Sequence, residues 1–266
     1  MVLPEGAPTA GAEDEAARSG RFARAVARRV PPRLTAAVIW TIYPRVEPEL
    51  ARVRDFVPAG GTAVDVGGWF GPWTRRLSGL ADRVVTLEAA PALAALLKRA
   101  FPRCEIVHAA ASDECGHIDL SIPPAGEFAG VASVGRRGGD TVQVPKVTID
   151  SLGLEDVRFI KLDIEGHELH ALHGAAGTIR RDRPVLLIEL EERHAPVRPV
   201  VDLLEGWGYT GHVLLDGRWA SLVLRDLVAA QEATAHQLDR GLLAKALKPG
   251  RRYVNLVLFT PATERA

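Results

Sequence analysis

Residues 63–74 read AVDVGGWFGPWT. Ala63, Val64, Asp65 and Val66 make a short apolar run broken by one acid, which predicts a buried strand. Gly67, Gly68 and Gly71 follow, and Pro72 then stands where a helix can begin, because its missing N–H would be unpaired there anyway. The stretch therefore predicts strand, glycine-rich turn and helix. Such a turn lets backbone approach a ligand closely, and a helix N-terminus favours negative groups, so a nucleotide-like ligand is expected. The dinucleotide pattern G-x-G-x-x-G fails, because Val66 occupies the place of its first glycine. This disfavours a nicotinamide dehydrogenase. A phosphate loop fails for want of a following lysine. D-x-G-x-x-x-G remains, carried by Asp65, Gly67 and Gly71; its plain alternative is an ordinary tight strand–helix turn.

The 266-residue chain carries 33 basic and 33 acidic side chains, a net charge of zero. That length suits one large domain or two small ones with ample core. Neutrality gives no support to a general polyanion binder, so no nucleic-acid partner is expected. Cys104 and Cys115 match no metal or redox spacing and read as incidental thiols of a reducing compartment. No apolar run reaches the length of a membrane span, and the start MVLPEGAPTAGAEDEAARSG does not resemble a secretory signal. A cytoplasmic location is expected.

Along the chain, residues 1–20 read as a disordered tail and residues 21–46 as a basic helical arm. The arm is expected to pack on the domain or on a partner subunit rather than on a membrane surface. Helical spacing over 47–56 leads into the first strand, 62–66. A helix over 74–80 and a second strand over 83–88 follow. Glu88 ends that strand about twenty residues after the glycines, where a doubly wound fold sets a carboxylate against ribose hydroxyls. A carboxylate can accept both O–H groups of such a diol. The bland alternative is a surface acid at a strand end.

A helix over 91–100 and a third strand over 105–109 come next. Ala110, Ala111 and Ser112 are small residues at its end, suited to a flat ring lying against backbone, or simply to a tight turn. Alternation at 118–122 and 141–149 predicts a two-stranded insertion, with the Gly- and Pro-rich segment 123–140 as a mobile lid. The fourth strand, 157–164, is followed at once by a helix through EGHELHALHGA. Strand 185–190, helix 197–207, strand 209–215, a largely helical 220–247 and a last strand over 253–260 complete the pattern. Strands alternating with helices predict a parallel α/β sheet, with an antiparallel strand at its edge.

With the glycine turn, the stretch IKLDIEGHELHALHGA at residues 160–175 resembles the FkbM family of S-adenosylmethionine-dependent methyltransferases. The similarity spans residues 47–261, with insertions at 116–149 and 220–250, and leaves out the tails at 1–20 and 262–266. It implies a Rossmann-like class I fold, a seven-stranded, mostly parallel sheet with helices on both faces. It implies S-adenosylmethionine as cofactor and a hydroxyl of a sugar, glycan or polyketide-type natural product as methyl acceptor. It assigns the cofactor site to Asp65, Gly67, Gly68, Gly71, Glu88, Ala89, Ala111, Ser112 and Asp163. The family usually carries a small residue and asparagine after Gly67, where this chain has Gly68 and Trp69. A non-catalytic cofactor-binding scaffold is the alternative if Trp69 closes the site.

Methyl transfer to a hydroxyl needs alignment and a base. The base belongs at the carboxyl ends of the central strands, where Asp163, Glu165 and His194 are the expected catalytic residues, with His167 and Glu189 nearby. No metal ligand is assigned. Asp163, Glu165 and Glu189 leave room for Mg²⁺, whereas His167, His170 and His173 do not share one helical face. Lys161 and Asp163 also read as a plain strand-end ion pair. The acceptor is expected to be chosen by 123–140 and 220–247. A homodimer is compatible with the basic arm.

Overall fold

The computed structural model describes residues 32–122, 133–134, 140–238, 242–247 and 252–262. The expected tail at 1–20, the first part of the arm and most of the expected lid lie outside the described residues. In chain order, helix α1 (Pro32–Val46) and the short α2 (Pro48–Ala51) precede β1 (Thr62–Val66), α3 (Pro72–Leu77), β2 (Arg83–Leu87), α4 (Pro91–Ala100) and β3 (Glu105–Val107). Strands β4 (Ala110–Ala111), β5 (Gly116–Ile122), β6 (Ser133–Val134) and β7 (Asp140–Val147) form the insertion. Then come β8 (Val157–Leu162), α5 (Glu168–His173), α6 (Ala176–Asp182), β9 (Val185–Glu189), α7 (Arg198–Gly206), β10 (Tyr209–Leu215), β11 (Arg218–Ser221), α8 (Leu224–Thr234), α9 (Leu242–Leu247) and β12 (Leu256–Pro261).

The main sheet runs β11-β10-β12-β9-β8-β1-β2-β3. Strands β3, β2, β1, β8 and β9 pair in parallel, and β12 lies antiparallel to both β9 and β10. Seven of these strands make the expected α/β sheet. The antiparallel strand β12 lies inside it, between β9 and β10. The edge is an eighth strand, β11, at a place read as the start of a helical segment. Its cause is local: Asp216 (φ 46°) and Gly217 (φ 77°) are both left-handed, and Leu215 pairs with Arg218 across a two-residue turn. Asp-Gly between strands is a strong hairpin signal, because its twist matches that of the strands.

Every residue of β1 is buried, as a central parallel strand requires. Alternate side chains serve opposite faces. Val64 and Val66 join Ile160, Leu162, Leu172 and Ile179 on one side, while Ala63 joins Trp73, Leu77 and Phe159 on the other. Helices thus cover both faces. The insertion is richer than two strands: β5 and β7 form the expected antiparallel pair, and β4 and β6 extend it to a four-stranded sheet. The described part of the arm, α1, packs on the domain, with Ala36 and Ile39 against Phe70 and Leu96. The Trp40 indole N–H donates to the Phe70 carbonyl at 2.8 Å. No helix among the described residues is long and apolar enough to cross a membrane.

Candidate active site

The glycine turn leaves β1 in left-handed conformation. Gly67 has φ 82°, Trp69 φ 48° and Gly71 φ 82°. Gly67 and Gly68 donate their N–H groups to the Leu87 carbonyl at 3.0 and 3.2 Å, tying the turn to the end of β2. A Cβ on Gly67 would stand 2.0 Å from the Asp163 carbonyl oxygen, and Asp163 N–H donates to the Val66 carbonyl at 3.1 Å. The loops after β1 and β8 therefore cross in backbone contact, which only glycine permits at this position. Gly68 and Gly71 have a packing role, since a Cβ there would meet Thr86 and Leu97, or Phe101, at under 3 Å.

Asp65 does not face a ligand. It is fully buried beneath the turn; Oδ2 accepts from the Thr74 hydroxyl at 2.7 Å, and Oδ1 is 3.8 Å from Lys161 Nζ. It shapes the turn by tying the start of α3 to β1 and β8. Glu88 is the buried carboxylate at the end of β2. Its Oε2 accepts from Trp69 N–H at 2.7 Å and its Oε1 from Ala90 N–H at 2.8 Å. Each oxygen keeps further acceptor capacity, which is what a ribose diol needs. Burial pushes the Glu88 carboxyl up to about 7, against those two N–H groups.

Ala89 adjoins Glu88, with its carbonyl 3.2 Å from His108 Nε2. Ala111 sits in the core cluster with Val66 and Leu87. Ser112 is buried, with its hydroxyl directed to Asp113 at 3.0 Å and to His167 Nε2 at 3.1 Å rather than toward Glu88. His167 stacks on His170 at 4.5 Å, and burial followed by the His170 charge lowers its pKa to about 4. The Trp69 ring packs against Tyr43 and Phe70 under α1, with centroids 5.4 and 5.1 Å away.

The second half of the site gathers at the ends of β8 and β9. The helix expected to follow β8 at once starts only at Glu168, because Glu165 (φ 58°) and Gly166 (φ 99°) make a left-handed turn. Glu168 caps that turn, accepting from Ile164 and Gly166 N–H at 3.1 and 3.2 Å. Lys161 is buried, with Nζ 2.9 Å from Asp163 Oδ2 and donating to the Gly67 carbonyl at 3.3 Å. Burial, the largest influence, raises the Asp163 carboxyl, but Lys161, Glu189 and His194 together hold the group below the usual range. Glu189 is pushed well above that range, by burial first and then by Asp163 and Glu191. Asp163 is thus the ionised member of the pair. His194 Nδ1 lies 2.9 Å from Glu165 Oε2, and Gly166 lets the loop close on His194.

The three expected catalytic residues, Asp163, Glu165 and His194, are therefore brought to one place, and Glu189 joins them. One donor atom from each of Glu165, Glu189 and His194 lies within 4.8 Å of the others. Asp163, which the sequence placed with the two glutamates, is absent from that trio and is engaged by Lys161. Two residues escaped sequence reasoning. Asn255, a lone amide in the apolar run YVNLVLF, donates to Glu189 Oε1 at 2.5 Å and to Glu191 Oε1 at 2.9 Å. Tyr43, three residues after Trp40 on α1, has its phenol raised by burial and then by the charges of Glu47, Asp163, Glu189 and Glu165, and its ring packs on Trp69.

A search of the curated proteins found no match. Among solved structures, an FkbM methyltransferase from Methylobacillus flagellatus is 18% identical, with 76% of this chain and 43% of that one covered and a TM-score of 0.46. This chain thus spans less than half the length of that protein. An rRNA methylase from Streptococcus thermophilus is 10% identical, with 82% and 97% covered and a TM-score of 0.45. A TehB-like S-adenosylmethionine-dependent methyltransferase from Corynebacterium glutamicum is 14% identical, with 96% and 100% covered and a TM-score of 0.44. Similarities at this level say nothing of substrate. The family model described as the methyltransferase FkbM domain matches residues 61–210, more than half of the chain and the segment that holds both halves of the site. The chain belongs to the FkbM methyltransferase family.

Proposed function

We propose that this protein is an S-adenosylmethionine-dependent O-methyltransferase whose acceptor is a hydroxyl of a sugar, glycan or polyketide-type natural product. One observation carries the proposal. A buried carboxylate fixed for a diol, Glu88, and a group of proton acceptors, Asp163, Glu165 and His194, meet across the crossing of Gly67 with the Asp163 carbonyl. The residues fit such a cofactor. Glu88 holds two backbone N–H groups and retains lone pairs for the ribose, and the glycine turn sets its backbone beside that carboxylate, with Trp69 N–H 2.7 Å from Oε2.

S-adenosylmethionine, when bound, supplies a methyl group on a positively charged sulfur. The chain must hold an acceptor oxygen in line with that carbon and remove the hydroxyl proton. Glu88 orients the ribose end. Asp65 and Lys161 hold the turn rigid from below. Asp163, Glu165 and His194 are the groups able to take the proton. Ala111 and Ser112 are assigned to the adenine side by family resemblance.

Calorimetric titration with S-adenosylmethionine and S-adenosylhomocysteine, with NADH as control, tests the proposal. Micromolar binding of the first two alone is expected, with at least a tenfold loss in Glu88→Gln. Incubation with a panel of hydroxylated sugars and polyketides should then give an acceptor heavier by one methylene in the mass spectrum. Binding without transfer to any acceptor would favour the scaffold alternative, and binding of NADH alone would refute the assignment.

A further inference from the structure

We infer that Glu165, Glu189 and His194 form a binding site for one divalent cation of the Mn²⁺ and Zn²⁺ kind. Three observations converge. Glu189 Oε2 and His194 Nε2 are buried and lack a hydrogen-bond partner, and Glu165 Oε2 has only the His194 ring, with Nδ1 2.9 Å away. The His194 side chain is only 2% exposed, so no bulk water satisfies its ring nitrogen. The donor atoms of the three residues lie within 4.8 Å of one another. A buried polar atom left unpaired is costly, and a cation shared by the three residues accounts for both unpaired atoms together.

The charges around the site support a cation. Among the described residues, Lys161 serves Asp163 and Asp65, and Arg193 serves Glu191. Neither Glu165 nor Glu189 is paired with a lysine or arginine there. The supporting shell is in place as well, with Asn255 holding the other Glu189 oxygen at 2.5 Å. The imidazole sets the preference. Mg²⁺ takes oxygen donors and keeps its water, whereas a ring nitrogen with two carboxylates suits a borderline ion. This departs from the oxygen-only set of Asp163, Glu165 and Glu189 that the sequence suggested.

The use of such a cation rests on the methyl-transfer function proposed above. Three protein donors leave positions open for an acceptor hydroxyl, which loses its proton more readily beside the cation. The proton passes to Asp163, which stands outside the donor set with Lys161 as its counter-ion. The oxygen–carbon bond forms as the carbon–sulfur bond breaks, and the electron pair of that bond stays on sulfur.

The test is calorimetry on the full chain after dialysis against chelator, with MnCl₂, ZnCl₂ and MgCl₂ titrated separately, and Mn²⁺ followed in parallel by electron paramagnetic resonance. One saturable site per chain for Mn²⁺ or Zn²⁺ is expected, with Mg²⁺ at least tenfold weaker. Glu189→Gln, close to isosteric, should weaken binding at least tenfold, and Glu165→Gln in the loop should do the same without loss of fold by circular dichroism. Absence of saturable binding, or wild-type affinity in both variants, overturns the site. Titration with S-adenosylmethionine on the same sample separates the two proposals. Cofactor binding without cation binding overturns only this one, and cation binding without cofactor binding upholds the site while removing its proposed use.

Discussion

Lys161→Met tests whether the buried charges under the glycine turn act as a unit. Lys161 Nζ is 2.9 Å from Asp163 Oδ2 and 3.8 Å from Asp65 Oδ1, and both Lys161 and Asp65 are shut off from water. Removing one partner of a buried pair costs about 3–5 kcal/mol, because the remaining charge stays buried without compensation. The bond to the Gly67 carbonyl, long at 3.3 Å, adds about 0.5 kcal/mol. At roughly 2–4 °C per kcal/mol for a chain of this size, the melting temperature should fall by about 7–22 °C. Urea unfolding followed by circular dichroism measures the loss directly. Asp65→Asn in the Lys161→Met background should restore about 1–2 kcal/mol, since it neutralises a stranded charge while an amide oxygen still accepts from Thr74. A Lys161→Met protein within 1 kcal/mol of wild type, or a double variant whose losses simply add, would refute the reasoning.

Gly67→Ala should destabilise by about 1–3 kcal/mol from its left-handed backbone alone, and should abolish cofactor binding because its methyl group would displace the Asp163 carbonyl, 2.0 Å away; thermal unfolding and calorimetry read the two effects. Cofactor affinity should rise about tenfold between pH 6 and 8, because the ionised Glu88 accepts a diol and its carboxyl titrates near 7, and the slope should vanish in Glu88→Gln. Stability of the ligand-free protein should move the other way. Burial raises the carboxyls of Glu88 and Glu168 to about 7 and of Glu47 to about 8, so the native state binds more protons than the unfolded chain. Their contribution is full below the unfolded carboxyl range, about pH 4.5, and is lost as pH rises toward 8; urea midpoints across that window should fall. Gly217→Val should cost about 1 kcal/mol through its positive φ, with cofactor binding unchanged, since the β10–β11 turn has open space around it.

Sequence alone determined what depends on near neighbours in the chain. The strand, turn and helix around Gly67, the acid at the end of β2, and the parallel order of strands and helices all follow from spacing within some twenty residues. The hairpin at Asp216-Gly217 was equally local, yet β11 was absorbed into a helical reading because the residues after it have helical spacing. Other features could be decided only by the folded chain. Glu165 and His194 are far apart in sequence and meet because β8 and β9 pair in parallel and Gly166 lets the intervening loop close on the histidine. Trp69, a candidate plug in the sequence, lies under α1 because Tyr43 and Phe70 offer its ring an apolar seat. Family resemblance assigns both Asp65 and Asp163 to the cofactor site, but Asp65 is fully buried as a structural tie to Thr74, whereas Asp163, 2.9 Å from Lys161, is partly exposed at the end of β8. Burial and charge pairing depend on contacts between distant segments, and those contacts, rather than any local pattern, assign each carboxylate its role.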